Sequence, residues 1–248
     1  MNFKDYFSSQ AQAYAAYRPQ YPPELFAYLA SLSRDRHAAW DCATGNGQVA
    51  LGLLPYFETI YATDASANQI AHAFQHPQIT YAIAPAEQVP LADGLVELVT
   101  VGMALHWFNL DLFYREVRRV VKPGGAIAAW CYGEFELPDI SETLHSLIQA
   151  FKVLVEPYWA PEVSAIRDQY QTLPFPFQEV NAPSFVIRTR WTEHDLIGYL
   201  TTWSATQQLM ADQGEELVSS FTQQIMEAWQ GHDIEVRWQI WMRVGTLS

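Results

Sequence analysis

Trp40-Asp41-Cys42-Ala43-Thr44-Gly45-Asn46-Gly47-Gln48 is the stretch on which the fold turns. The short apolar run from His37 to Cys42 carries an acid near its end. Two glycines follow, two positions apart, and Val49 to Leu54 then has helical character. The segment therefore reads as strand, tight turn and helix. Glycine belongs in such a turn because the backbone bends sharply there and a ligand approaches it closely.

Working outward, the same alternation repeats. Glu58 to Thr63 reads as a second strand ending at Asp64, and Asn68 to Phe74 as a helix. Ile79 to Ile83 is a third strand. Leu95 to Val101 is a fourth, a near-continuous apolar run of the kind found where both faces are buried. Leu110 to Val121 is a helix with Leu112, Phe113, Val117 and Val120 on one side. Pro123-Gly124-Gly125 makes a turn into a fifth strand, Ala126 to Cys131. Strands alternating with helices imply parallel pairing and an α/β, doubly wound sheet.

The flanks differ. Phe3 to Tyr21 reads as a helix stopping near Arg18-Pro19, because the residue before proline disfavours helical geometry. Pro22 and Pro23 open a second helix, with Leu25, Phe26, Leu29 and Leu32 as its apolar stripe. After about Glu134 the alternation fails. Ile140 to Val155 is a long helix, Val180 to Arg190 a strand, Glu193 to Met210 and Glu215 to Trp229 helices, and Ile234 to Val244 a final strand. The late strands fit antiparallel pairing at one sheet edge, with the helices between them as a substrate lid.

Composition bounds the function. The 248 residues are half hydrophobic and include nine tryptophans, ample for a core. Fourteen Lys and Arg against 27 Asp and Glu give a net charge of −13, a poor match to polyanions. Arg115, Arg118 and Arg119 read as a solvated helix face. Cys42 and Cys131 show no metal-ligand spacing and read as buried thiols. Met1 to Ser9 is not a signal peptide, and no run approaches the ~18 apolar residues of a membrane span. The expectation is a cytoplasmic protein, monomer or homodimer, with a small-molecule partner, no nucleic acid, no membrane and no metal.

Two chemistries compete at the glycine turn. Gly45-x-Gly47-x-x-Ala50 with Asp64 about 20 residues on fits a dinucleotide fingerprint, hence an NAD-dependent oxidoreductase. Against it, Asp41 stands at the strand end, where an acid suits the ammonium of an amino-acid-bearing ligand. Ala84 to Leu91 follows strand three, placed to close over an adenine ring. Arg119-Val120-Val121-Lys122-Pro123-Gly124-Gly125 precedes strand five. Asp41 and Asp64 also fit helix-capping acids.

At these residues the chain resembles the class I S-adenosylmethionine-dependent methyltransferases, and within them the small-molecule branch of trans-aconitate-type enzymes. The resemblance spans roughly Tyr14 to Tyr132. It continues more faintly in Leu196-x-x-Tyr199-Leu200-x-x-Trp203-Ser204. It implies a Rossmann-like sheet of seven strands, mostly parallel with one antiparallel edge strand, and helical lid insertions. It also implies a single methyltransferase domain over 1–248: a helical lid to residue 36, a cofactor-binding core over 37–133, and insertions with edge strands over 134–248.

The resemblance implies S-adenosylmethionine as cofactor. Asp41, Gly45 and Gly47 match the residues around its methionine part, and Asp64 the acid that binds both ribose hydroxyls. Ala86 and Glu87 match the loop at the adenine, and Met103 to Trp107 the stretch beneath the reactive methyl. Tyr14 and Arg18 match an N-terminal pattern in which arginine pairs with the cofactor carboxylate. The chain departs from the pattern twice: Ala43 replaces the first glycine, and Pro85 replaces the usual aspartate before Ala86.

The implied function is methyl transfer to a small, partly apolar acceptor, including a carboxylate with Arg18 or Arg167 nearby. A non-catalytic S-adenosylmethionine-binding module is the alternative. His106, just after strand four at the carboxyl end where open α/β sheets bind ligands, is the candidate base or orienting group. It also reads as an ordinary satisfied histidine. Tyr6, Tyr14, Tyr17, Tyr21 and Trp203 divide between packing and pocket.

Overall fold

A computed structural model describes residues 17–229 and 231–247. The N-terminal helix and Tyr14 expected from the sequence lie largely or wholly outside them. Eight strands form one sheet: β1 (Ala38–Cys42), β2 (Thr59–Asp64), β3 (Ile79–Ile83), β4 (Val96–Gly102), β5 (Val121–Glu136), β6 (Gln178–Val180), β7 (Phe185–Trp191) and β8 (Ile234–Thr246). The order is β3-β2-β1-β4-β5-β8-β6, with β7 also pairing β8. β1 to β5 pair in parallel, and β8 runs antiparallel to β5.

The antiparallel strand lies one lane in from the edge. β6 and β7 share the outer lane: β6 pairs Val244 to Thr246 of β8, and β7 pairs Ile234 to Ile240. The single strand expected over Val180 to Arg190 is thus two, separated by Asn181 to Ser184. Pro183 in that gap has no amide to donate to a ladder. Eight strands therefore fill seven lanes.

The helices are α1 (Pro23–Ser31), α2 (Gln48–Leu53), α3 (Ala67–Ala71), α4 (Leu110–Val120), α5 (Glu142–Val155), α6 (Ser164–Arg167), α7 (Glu193–Thr201), α8 (Ser204–Gln213) and α9 (Glu216–Ala228). Two apolar clusters occupy the two faces of the sheet. One packs Leu25, Leu29 and Leu53 of α1 and α2 against Ile60 and Leu98. The other packs Phe113, Val117 and Val120 of α4 against Trp40, Val99 and Ile127. Helices on both faces make the sheet doubly wound.

The helix expected over Glu193 to Met210 is broken. Trp203 is extended (φ −65°, ψ 134°) between α7 and α8. The Thr202 hydroxyl donates to the Tyr199 carbonyl and Thr206 to that of Leu200, so side chains satisfy helix-end carbonyls. A second irregularity lies in β5. Its register against β8 shifts between Tyr132 and Phe135. Residues three apart on a regular strand face opposite ways. The bulge turns both rings to one side, where each meets Trp238, at 6.4 and 6.2 Å between centroids.

Candidate active site

Strand order reverses between β1 and β4, so their carboxyl ends diverge and open a crevice at the place where ligands sit in open α/β sheets. The glycine turn lies at this end. Ala43, Gly45 and Gly47 have φ of +53°, +57° and +90°. The left-handed region favours glycine, so Ala43 is a strained substitute for the glycine it replaces.

The two glycines do different work. A Cβ on Gly45 would meet only the Gln69 side chain, at 3.9 Å, so this backbone is open to a ligand. A Cβ on Gly47 would lie 2.3 Å from Tyr81 Oη, so Gly47 is needed for packing. An open backbone beside an acid at the end of β2 suits a ligand with a hydroxyl-rich ring and a charged tail.

Asp64 is that acid. It accepts from the amides of Gly45 (2.9 Å) and Ser66 (2.8 Å), which fixes the carboxylate against the turn. Asp41 sits deeper, 1% exposed, and accepts from the hydroxyls of Thr44 (2.5 Å) and Thr100 (2.9 Å). Burial pushes its carboxyl up to about 7, against those hydrogen bonds. It braces the turn from below.

Ala86 is buried, and Glu87 accepts from the Asn109 amide at 2.8 Å, tying this loop to the start of α4. Pro85 is exposed. Gln48 Nε2 donates to the Pro19 carbonyl at 3.2 Å, joining the turn to the segment that carries Arg18.

Met103, Arg18 and His106 come together in a second place. They line a cavity of about 180 Å³ above the ends of β4 and β5. Its walls are aromatic: Trp107, Tyr132, Phe135, Trp159, Tyr199 and Trp203. Met103 is held at φ +59°, and its sulfur lies 3.1 Å from the Tyr132 amide. A strained non-glycine residue at a strand end is where functional sites hold one.

Three cations and two acids join the walls: Arg18, Lys152, Arg167, Glu134 and Glu156. Arg167 makes a bidentate pair with Glu156 (2.6 Å each) and Lys152 meets Glu134 at 3.0 Å. Arg18 lies over the Tyr199 ring, 5.3 Å from its centroid. Among the described lining residues, three are cationic and two acidic.

His106 Nδ1 is 2.9 Å from Tyr170 Oη, and burial lowers the imidazole to about 4. The ring is neutral at physiological pH.

Residues flagged from the sequence thus divide between the turn (Asp41, Ala43, Gly45, Gly47, Asp64, with Ala86 and Glu87 beside it) and the cavity (Arg18, Met103, His106, with Trp203 and Arg167). Tyr17 packs on Gly198, where a Cβ would lie 2.4 Å from its ring. Sequence reasoning missed Tyr132, Phe135, Lys152, Trp159 and Tyr170. The wall from Lys152 to Arg167 comes after the parallel strands, where no motif announces a site. Among the described residues no His, Cys, Asp and Glu cluster is placed to hold a metal, and no helix is long and apolar enough to cross a membrane.

Known proteins share this fold. A family model described as a methyltransferase domain matches residues 40–129. The solved structure of a candidate type II methyltransferase from Anaeromyxobacter dehalogenans is 36% identical. It superposes with a TM-score of 0.83 over 92% of this chain and 97% of its own. A candidate methyltransferase of Dictyostelium discoideum is 27% identical over 97% of this chain and 94% of its own length. The malonyl-[acyl-carrier protein] O-methyltransferase of Pseudescherichia vulneris is 29% identical over 66% of this chain and 68% of its own length. The dinucleotide reading of the glycine turn gives way to this family.

Proposed function

The chain belongs to the S-adenosylmethionine-dependent methyltransferases, and from that premise we propose that it methylates a small, partly apolar carboxylic acid. S-adenosylmethionine is its cofactor, and supplies a methyl group made electrophilic by a positively charged sulfur. In this reading Asp64 binds the ribose hydroxyls and the open backbone at Ala43 and Gly45 takes the methionine part. Gly47 and the buried Asp41 hold that backbone in shape. Ala86 and Glu87 border the adenine, Met103 lies beneath the reacting centre, and Arg18 (with Tyr14, outside the described residues) serves the cofactor carboxylate.

The observation that carries the acceptor class is the cavity: six aromatic walls with Lys152 and Arg167 among them. Aromatic walls favour an apolar body, and the Lys152 and Arg167 side chains in the same wall offer cations to an anionic end, with Arg18 kept for the cofactor. A carboxylate needs no deprotonation before it attacks, so the chain's main task is to hold nucleophile and methyl in line. The malonyl-[acyl-carrier protein] relative supports this, since a malonyl group ends in a carboxylate. So does the resemblance to trans-aconitate-type enzymes.

The test is turnover. The protein is incubated with S-adenosylmethionine and a panel of small acids, each matched by its amide, and S-adenosylhomocysteine is measured by mass spectrometry. Product with one or more acids and none with the amides is expected. Product only with amines, alcohols or macromolecules would remove the carboxylate.

A further inference from the structure

His106 and Tyr170 bear on how the acceptor is held, and their role rests on the aromatic cavity being the acceptor site. His106 belongs to the short 3-10 helix Leu105–Trp107 after β4 and lines the cavity. Tyr170 comes soon after α6, has no exposed surface, and is held at φ +60°. That unusual backbone conformation brings its phenol oxygen to 2.9 Å from His106 Nδ1.

The pair holds two protons at neutral pH. Burial keeps the imidazole neutral, and burial raises the Tyr170 phenol well above its ordinary value, so it too keeps its proton. Two arrangements are available. In one, Tyr170 donates to Nδ1 and the imidazole proton sits on Nε2. In the other, Nδ1–H donates to the phenol oxygen, and the phenol proton must find another acceptor. Among the described residues, the hydrogen-bond partner of Tyr170 Oη is His106 Nδ1. The backbone amides of His106 and Leu105 face the same oxygen, and amides donate. A buried hydroxyl proton with no acceptor is strongly disfavoured, which leaves the first arrangement.

We propose that Tyr170 fixes His106 as the Nε2–H tautomer, so that His106 presents to the cavity a hydrogen-bond donor that binds a carboxylate oxygen more strongly than the neutral oxygen of an amide or alcohol. Nδ1 is occupied, so Nε2 is the ring nitrogen left to face a ligand. An Nε2 that already carries a proton takes none, so His106 orients the acceptor and does not act as a base. Tyr170 is a positioning residue that acts through it. The transfer balances without a base. A carboxylate oxygen forms the new O–C bond with its own lone pair, the C–S bond breaks with its pair going to sulfur, and no proton moves.

The test reads the tautomer directly. Full-length protein labelled with 15N-histidine and saturated with S-adenosylhomocysteine is studied by long-range 1H–15N NMR, and His106→Gln identifies the His106 signals. Nδ1 should resonate as unprotonated and Nε2 as protonated. The reverse pattern in the wild-type protein overturns the proposal, whether or not Tyr170→Phe folds. Where Tyr170→Phe does fold, Nδ1 loses its donor, and the Nε2–H form should fall from the sole form to the partial excess that an unconstrained neutral imidazole shows.

A second arm measures binding of phenylacetate and phenylacetamide to the same complex by calorimetry. The acid should bind about tenfold or more tightly than the amide, by roughly 1.4 kcal/mol. The preference should fall in His106→Ala and survive in part in His106→Gln, which keeps a donor. Equal binding, no binding of either, or an unchanged preference in His106→Ala overturns the acceptor class. Failure of S-adenosylhomocysteine to bind would instead remove the cofactor-site reading, leaving the tautomer result to stand on its own.

Discussion

Replacing Asp41 with asparagine should stabilise the protein above neutral pH while weakening its hold on the cofactor. The carboxylate is 1% exposed and sits between the Thr44 and Thr100 hydroxyls, with Asp64 adding like charge. In the unfolded chain it loses its proton near its ordinary value of about 4; in the folded protein burial pushes that up to about 7. Between these values the folded state holds a proton that the unfolded state has released. Stability therefore falls as pH rises from about 4 to about 7 and is level above that.

Each pH unit in that window is worth about 1.4 kcal/mol, so ionised Asp41 costs up to about 4 kcal/mol at pH 8. Asparagine removes this cost and gives up the charge-assisted part of two hydroxyl bonds, about 1–2 kcal/mol in all. The variant should be more stable than wild type by roughly 2 kcal/mol at pH 8, and no more stable at pH 4.5. Urea denaturation at pH 4.5, 6 and 8, followed by tryptophan fluorescence, measures this. S-adenosylhomocysteine should bind the variant about tenfold or more weakly, a function-for-stability exchange. A variant less stable than wild type at pH 8, or wild-type stability that does not fall between pH 5 and 7, would refute the assignment of a strained buried charge.

Other substitutions probe the turn and its support. Ala43→Gly relieves a left-handed alanine at φ +53°. The relief of about 1–2 kcal/mol exceeds the ~0.4–1 kcal/mol of added unfolded-state freedom, so denaturation should show a net gain, and a loss would deny the strain. Gly47→Ala forces a Cβ to 2.3 Å from Tyr81 Oη at φ +90° and should cost about 2–3 kcal/mol. Tyr81→Phe should recover about 1 kcal/mol of that in the double variant, whereas additive effects would show that the contact is not the cause. Lys122→Met takes the ion pair from the buried Glu97 carboxylate and leaves it the Ala38 amide as a donor. Because Lys122 is itself 39% exposed, the loss should be about 1–2 kcal/mol by thermal unfolding, and no loss would mean that solvent already compensates Glu97.

The parallel half of the sheet was legible because its signals are local. The strands of the 37–133 segment are apolar runs, three of them with an acid or a glycine at or next to their ends (Asp41, Asp64, Gly102), and Pro22-Pro23 marks a helix start where the structure has it. The turn residues were legible for the same reason: tight backbone bends restrict which residues fit. The insertion was less so. The break at Thr202-Trp203 depends on two hydroxyls satisfying carbonyls, a choice made by packing and invisible to helical periodicity. The bulge after Tyr132 depends on pairing with β8 more than a hundred residues later. The cavity inherits both irregularities, which is why Tyr132, Phe135 and Trp159 went unread while Arg18 and Met103 were found. Tyr170 is a further case: nothing in its neighbourhood in the chain announces a partner for His106.

The most direct test of the cofactor site is the thermal midpoint with and without S-adenosylhomocysteine, in wild type and in Asp64→Ala. At about 100 times its dissociation constant a ligand of the folded state adds ~2.7 kcal/mol, roughly 5–11 °C for a domain of this size. A shift of that order in wild type that vanishes in Asp64→Ala, with the unliganded variant still folded, is expected. An undiminished shift in a folded Asp64→Ala protein would place the cofactor elsewhere and contradict the site described at the glycine turn.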